Sequence, residues 1–339
     1  MIQIAHRLVL TELCNGKCPH CFNAEFRKTA EMDADILLKW WSQNRGHPLI
    51  ASKRVKLMGG EPTLHPRIIE IMQEACLTYD GVDLFTNGSK MLEISRDPLI
   101  LKYHLMNKIQ YIINGFTFNP NDFFDYAPFI SRILLHFVVP YNKKEFYEML
   151  GKVVDCMRLQ PMINIIISPD TQVNLFDDGV QENYRENWLE AITTLVPQFI
   201  KRGIPFNYDH VLPMCFYTQK MLDRLHKVML SDSSAIDGIH AEKITCCGDV
   251  QMGLILPNFD IYFCNQTRIK LGSLLDDNGE PKSVEEVTTM LQKFSKIKTE
   301  SVKELSPKCK VCPVVASCKV GCYYTTLLRS VNNDMVRNT

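Results

Sequence analysis

Strand-length apolar runs alternate with helix-length amphipathic stretches across residues 7–202, and this alternation restricts the fold more than any other feature. The apolar runs are Arg7–Glu12, Arg54–Leu57, Val82–Phe85, Ile109–Ile113, Ile133–Val138 and Ile163–Ile167. Helical periodicity falls at Asp33–Gln43, Pro66–Leu77, Met91–Leu105, Lys143–Met157 and Glu182–Arg202. Strands separated by helices pair in parallel through right-handed crossovers. Asp33 is placed to cap the first helix, and Pro66 suits the first turn of the second. The pattern predicts the α/β class and an open, partial (β/α)6 barrel over residues 1–205; a closed eightfold barrel needs more chain. Further on, strand-like Phe206–Leu212 and Ile255–Phe263 are interrupted by cysteines and turns. A small cysteine-rich domain is therefore expected over 206–325, followed by a polar tail at 326–339.

Thirteen cysteines then need an explanation. No apolar run approaches the roughly 18 residues of a membrane span. The opening Met1-Ile2-Gln3-Ile4-Ala5-His6-Arg7 lacks the layout of a signal peptide. A cytoplasmic protein is expected, and there reduced thiols point to metal ligation more than to disulfides. The formal net charge of zero disfavours nucleic acid as the main partner, and the absence of long apolar runs disfavours a membrane. Cys76 and Cys156 sit alone on helical stretches and read as small buried hydrophobes.

Three cysteines crowd into one loop after the first strand, Leu13-Cys14-Asn15-Gly16-Lys17-Cys18-Pro19-His20-Cys21. Three thiolates on one tight loop can hold three irons of a cubane and leave the fourth open. A structural zinc site wants four ligands, usually as two separated pairs. At the ends of the next two strands come Met58-Gly59-Gly60-Glu61-Pro62 and Phe85-Thr86-Asn87-Gly88. The glycine pair permits close approach of backbone to a ligand, and Glu61 offers an acceptor for an ammonium group. In a parallel sheet these strand ends are where a site is expected.

With these motifs in this order, residues 5–205 resemble the radical S-adenosylmethionine (SAM) superfamily. The resemblance implies a [4Fe–4S] cluster on Cys14, Cys18 and Cys21, with SAM's amino and carboxylate groups on the open iron. It implies that Gly59, Gly60, Glu61 and Pro62 contact the SAM ammonium and that His20 packs near adenine. Asn142 is a candidate for the SAM ribose, with a turn or helix-capping role as the alternative. Related peptide-modifying members often end the fourth strand in a Ser-x-Asp-Gly-like stretch. Here it reads Ile112-Ile113-Asn114-Gly115, so a contact made there is not carried over.

A second dense set is Cys309-x2-Cys312-x5-Cys318-x3-Cys322, with Cys215, Cys246, Cys247 and Cys264 upstream. On spacing alone the last four cysteines also suit one structural zinc site. The region resembles the SPASM (twitch-like) extension that carries auxiliary iron–sulfur clusters. By that pattern Cys309, Cys312 and Cys318 share one cluster and Cys247, Cys264 and Cys322 another, so one or two auxiliary clusters are implied. Cys215 and Cys246 are spare thiols that could complete them. The glycine usual five residues before the second cysteine is Phe259, and no cysteine follows Cys322.

The implied chemistry is reductive cleavage of SAM to a 5′-deoxyadenosyl radical, fed by a flavodoxin- or ferredoxin-like electron donor, with hydrogen then abstracted from a substrate carbon. The resemblance favours a peptide or protein substrate undergoing cross-linking, epimerisation or oxidation, as in ribosomal peptide maturation. The alternatives are a small-molecule dehydrogenase and a non-catalytic metal-binding scaffold. Because the chain opens directly on the first strand, a peptide substrate is expected to need a separate leader-recognition protein or direct docking. No general base is assigned.

Overall fold

The computed structural model describes residues 7–17, 21, 29–114, 133–139, 164–169, 178–202, 206–208, 218–229, 254–262 and 270–290. The chain divides into two compact units, Met1–Ile133 with Gly248–Lys296, and Leu134–Cys247 with Ile297–Thr339.

The first unit is built on parallel strands β1 (Arg7–Thr11), β2 (Arg54–Gly59), β3 (Gly81–Thr86) and β4 (Ile109–Asn114). They pair in that order, with Leu8 opposite Leu57, Leu57 opposite Leu84 and Leu84 opposite Tyr111. Leu8, Leu10, Val55, Leu57, Val82 and Leu84 form its core. β1 and β3 are buried at nearly every position, as in strands covered on both faces, whereas burial alternates along β2.

Helix α1 (Ala34–Gln43) starts as expected: the Asp33 carboxylate accepts from the backbone N–H of Asp35 and Ile36. It buries Leu37, Trp40 and Trp41, and the Trp41 indole N–H donates to the Tyr79 hydroxyl at 3.2 Å. Two helices differ from expectation. The second, α2 (Ile68–Thr78), begins at Ile68 rather than Pro66, because a short 3-10 turn at Pro62–Leu64 uses the preceding chain first. The stretch Met91–Leu105 is two helices, α3 (Met91–Ser95) and α4 (Pro98–Leu105). Pro98 disfavours helical backbone at Asp97, whose carboxylate instead caps α4 through Leu99 and Ile100.

Beneath the sheet, the Arg54 guanidinium donates to Asp83 at 2.6 Å and to the Val82 carbonyl at 2.8 Å, tying β2 to β3. Within α4, His104 is buried, its ring centroid 5.6 Å from that of Tyr111. Burial lowers the pKa of its imidazole, and Nδ1 has no hydrogen-bond partner among the described residues. Below the ordinary value near 6.5 the unfolded chain takes up a proton that the folded site resists, so stability falls as pH falls. The urea midpoint is expected to drop between about pH 7.5 and about pH 5.5, and His104→Phe to remove part of that drop. An equal drop in both proteins would count against it.

Strands β8 (Leu254–Ile255), β9 (Asp260–Tyr262) and β10 (Lys270–Ser273) extend this same sheet beyond β1. β8 runs parallel to β1, with Leu8 opposite Ile255, and β9 and β10 follow antiparallel. The sequence places this hairpin in the second, cysteine-rich region; its hydrogen bonds here are to the first strand. The segment also reaches α1, where the Trp40 indole N–H donates to the Lys282 carbonyl at 2.9 Å.

The β8–β9 turn explains the departure at Phe259. The Phe259 N–H donates to the Leu256 carbonyl at 2.8 Å, closing a turn over Pro257 and Asn258, and Phe259 itself has φ +63°. That left-handed position normally takes glycine. Phe259 is 3% exposed, so burial of its side chain offsets the backbone strain. Phe259→Gly is expected to relieve about 1 kcal/mol of strain but lose about 3 kcal/mol of burial, a net destabilisation of about 2 kcal/mol. A variant as stable as the parent in urea unfolding would show that the ring contributes little.

The second unit contains parallel strands β5 (Ile133–Val139), β6 (Asn164–Pro169) and β7 (Phe206–Tyr208). Helix α5 (Asp178–Arg202) buries Tyr184, Trp188, Ala191, Ile192 and Phe199 and packs with α6 (Gln219–Met229), which buries Met221 and Leu225. Their spacing follows the helical period. Among the described residues no helix is long and apolar enough to cross a membrane.

Candidate functional site

Three strand ends meet where the cysteine loop leaves the sheet. β1 stops at Thr11, and the chain continues through Glu12 and Leu13 to Cys14. Two hydrogen bonds bind this exit to the end of β2: the Gly60 N–H donates to the Thr11 carbonyl and the Glu61 N–H to the Leu13 carbonyl, both at 2.7 Å. The glycine pair is what lets the two backbones approach. A Cβ on Gly59 would lie 2.3 Å from the Thr11 carbonyl oxygen, and one on Gly60 2.2 Å from that of Leu13. The close approach expected toward a ligand is here an approach to the chain's own backbone.

Glu61 is fully buried. Its Oε1 accepts from the Thr63 N–H at 3.1 Å, the Thr63 hydroxyl at 2.6 Å and the Thr86 hydroxyl at 2.7 Å. Its Oε2 accepts from the Asn87 N–H at 2.6 Å. Most of the carboxylate's acceptor capacity is thus used internally, where the sequence suggested an acceptor for an ammonium. Glu61 caps the 3-10 turn whose first residue is the buried Pro62, and it joins the end of β2 to the end of β3.

Cys14 and Cys21 are partly exposed, reduced thiols, and the Cys14 sulfur accepts from the Gly16 N–H at 3.3 Å. A sulfur presented from a loop and supported by a backbone N–H suits a thiolate ligand, and this soft donor type suits iron–sulfur chemistry. Cys76 is buried within α2, as expected, and burial pushes its thiol up to about 12. Cys18, His20 and Asn142 lie outside the described residues, as do Cys215, Cys246, Cys247, Cys264, Cys309, Cys312, Cys318 and Cys322.

The structure adds residues to which the sequence assigned no role. The Asn87 side-chain amide donates to Asn15 Oδ1 at 2.7 Å, and the Asn15 amide donates to the Ser89 hydroxyl at 3.0 Å. Thr63 and Thr86 serve Glu61 as described. The available signal was positional: Asn15 follows the first cysteine, and Thr86-Asn87 ends the third strand.

Residues 8–132 match the family described as the Radical SAM superfamily. Among curated proteins, the probable GTP 3′,8-cyclase of Pyrococcus abyssi is 27% identical over 121 residues, covering 32% of this chain and 38% of that protein. The GTP 3′,8-cyclase of Psychromonas ingrahamii is 28% identical over 129 residues, with the same 32% and 38% coverage. The chain therefore spans well under half the length of these relatives. Among solved structures, Streptococcus suis SuiB bound to S-adenosylmethionine has a TM-score of 0.58 at 15% identity, covering 95% of this chain and 73% of that one. His6-tagged anSMEcpe with bound AdoMet has a TM-score of 0.60 at 16% identity, covering 95% and 86%. Native anSMEcpe with bound AdoMet and the Cp18Cys peptide has a TM-score of 0.59 at 15% identity, covering 95% and 89%. At these identities the likeness is one of fold: α/β, with a sheet rich in parallel strands.

Proposed function

With a radical SAM domain across residues 8–132 as premise, we propose that the chain is an enzyme that cleaves S-adenosylmethionine reductively and abstracts hydrogen from a carbon of a peptide or protein. Cys14, Cys18 and Cys21 would hold a [4Fe–4S] cluster, which when bound supplies the electron that breaks a C–S bond of SAM, giving methionine and a 5′-deoxyadenosyl radical. The observation that carries this reading is the cysteine loop itself. It emerges from the end of a parallel strand with two reduced thiols partly exposed, and it is hydrogen-bonded to the end of β2. The chain's own contribution is positional: a buried carboxylate and a backbone-to-backbone contact hold three loops in register, so that reacting groups meet in a set orientation.

Gly59, Gly60, Glu61 and Pro62 are proposed to line the methionine end of SAM, with His20 near adenine and Asn142 near the ribose. Glu61 is also assigned the part of holding that loop. Cys247, Cys264, Cys309, Cys312, Cys318 and Cys322, with Cys215 and Cys246 in reserve, are proposed to carry one or two auxiliary clusters in a SPASM-like region. A flavodoxin- or ferredoxin-like donor and a cytoplasmic setting complete the reading. The peptide reading draws support from the anSMEcpe structure, which holds a bound peptide. A small-molecule substrate is the second reading, supported by the relatives named as GTP 3′,8-cyclases.

Anaerobic reconstitution followed by SAM and dithionite tests the reaction. 5′-Deoxyadenosine should form in the parent and not in Cys18→Ala. About twelve irons per chain would support two auxiliary clusters, and about four would exclude them. Uptake of zinc in place of iron, with SAM left intact, would overturn the proposal.

A further inference from the structure

We propose that Asn87 and Asn15 form a clasp that sets the cysteine loop relative to the end of β3, which makes Asn87 a positioning residue for the open corner of the cluster. This rests on reading that loop as the cluster's ligand loop. One end of the clasp is fixed by burial. The Asn87 backbone N–H donates at 2.6 Å to Glu61, a carboxylate with no solvent exposure that is also held by both Thr63 and Thr86. Hydrogen bonds to a charged acceptor are the stronger kind.

The Asn87 side chain is oriented by a group that can only donate: the Ser89 backbone N–H, 2.9 Å from Asn87 Oδ1. Nδ2 must then face Asn15 Oδ1, 2.7 Å away, which leaves the Asn15 amide nitrogen to donate to the Ser89 hydroxyl at 3.0 Å. The Asn15 amide is thus gripped at both ends, by two residues of one turn, immediately after Cys14. A single neutral hydrogen bond contributes about 1 kcal/mol, too little to fold the loop but enough to change its populations about fivefold.

Two variants leave the anchor in place. Asn15→Ala removes the gripped amide. Asn87→Ala keeps the backbone N–H for Glu61 but removes the side-chain contacts to Asn15 and Ser89. In the metal-free full-length chain, iodoacetamide should modify Cys14 about fivefold faster in each variant, and no faster in the double variant, because each change breaks the same clasp. Cys76 should stay unreactive in all of them, reporting an intact fold. After reconstitution, both variants should bind iron as the parent does, but the paramagnetic resonance of the reduced cluster with SAM should change shape and SAM should bind up to about fivefold more weakly. Parent-like Cys14 rates, or rates that multiply in the double variant, would overturn the clasp. Faster Cys14 modification with a parent-like resonance and SAM affinity would overturn its positioning role. A parent protein whose resonance ignores SAM would instead refute the proposed function, with the alkylation rates still deciding the clasp.

Discussion

Glu61→Ala is expected to destabilise the first unit by about 4 kcal/mol, read as a fall in the urea midpoint. The side chain is fully buried and serves donors from three segments: Thr63 beside it, Thr86 at the end of β3 and Asn87 in the following turn. Without it, the Thr63 and Thr86 hydroxyls can rotate to other partners, but the backbone N–H groups of Thr63 and Asn87 cannot. The Thr63 N–H would then be a buried orphan, at a cost of about 1–3 kcal/mol, and the half-buried Asn87 N–H would add a smaller loss. Glu61→Gln should lie between parent and alanine. Its amide oxygen can serve the donors now on Oε1, but its NH2 then faces the Asn87 N–H, donor against donor at the present 2.6 Å. A glutamine variant as stable as the parent, or an alanine variant losing under about 1 kcal/mol, would show that these bonds are replaceable.

Gly60→Ala is expected to be comparably damaging by a different mechanism. Its Cβ would sit 2.2 Å from the Leu13 carbonyl oxygen and 2.6 Å from that of Glu12. Both obstacles are backbone, and the Leu13 carbonyl also accepts the Glu61 N–H at 2.7 Å. A rotamer change cannot relieve the clash, so the segment leading into Cys14 must move. A loss of about 3 kcal/mol or more is expected, together with reduced iron uptake on reconstitution. Gly46→Ala provides the contrast. Gly46 has φ +79° but nothing within 4 Å of its missing Cβ, so only backbone strain of about 1 kcal/mol applies. Equal losses in the two variants would mean that the contact beneath the cysteine loop is soft.

These two positions show where reading the chain succeeds and where it stops. The Gly59-Gly60-Glu61-Pro62 run is legible as the loop that ends a strand in a parallel arrangement, and the structure places it beside the cysteine loop. What each residue faces is not legible. Glycines were expected to clear space for a ligand, yet their missing Cβ atoms meet Thr11 and Leu13. Glu61 was expected to offer an acceptor for an ammonium group, and its carboxylate also accepts from Thr63, Thr86 and Asn87. A motif specifies residue types, but the direction of a side chain depends on which other strand end lies against it.

Helix ends divide in the same way. Asp33 and its cap are visible locally because the donors lie within three residues. The break before Pro98 was also locally encoded, by proline's effect on Asp97, and the apolar spacing of Met91–Leu105 masked it.

From the amino-acid order alone came the parallel α/β core, because period and strand length are local properties of a chain, and the loop of cysteines at the end of its first strand. Tertiary structure decided the rest. It brought β8 back alongside β1 with β9 and β10 beyond it, put Phe259 in a glycine's conformation under a buried ring, and closed Asn15, Asn87 and Glu61 into one hydrogen-bonded path. Such pairings join segments far apart in sequence, and their free energy depends on surfaces that exist only once both partners have folded.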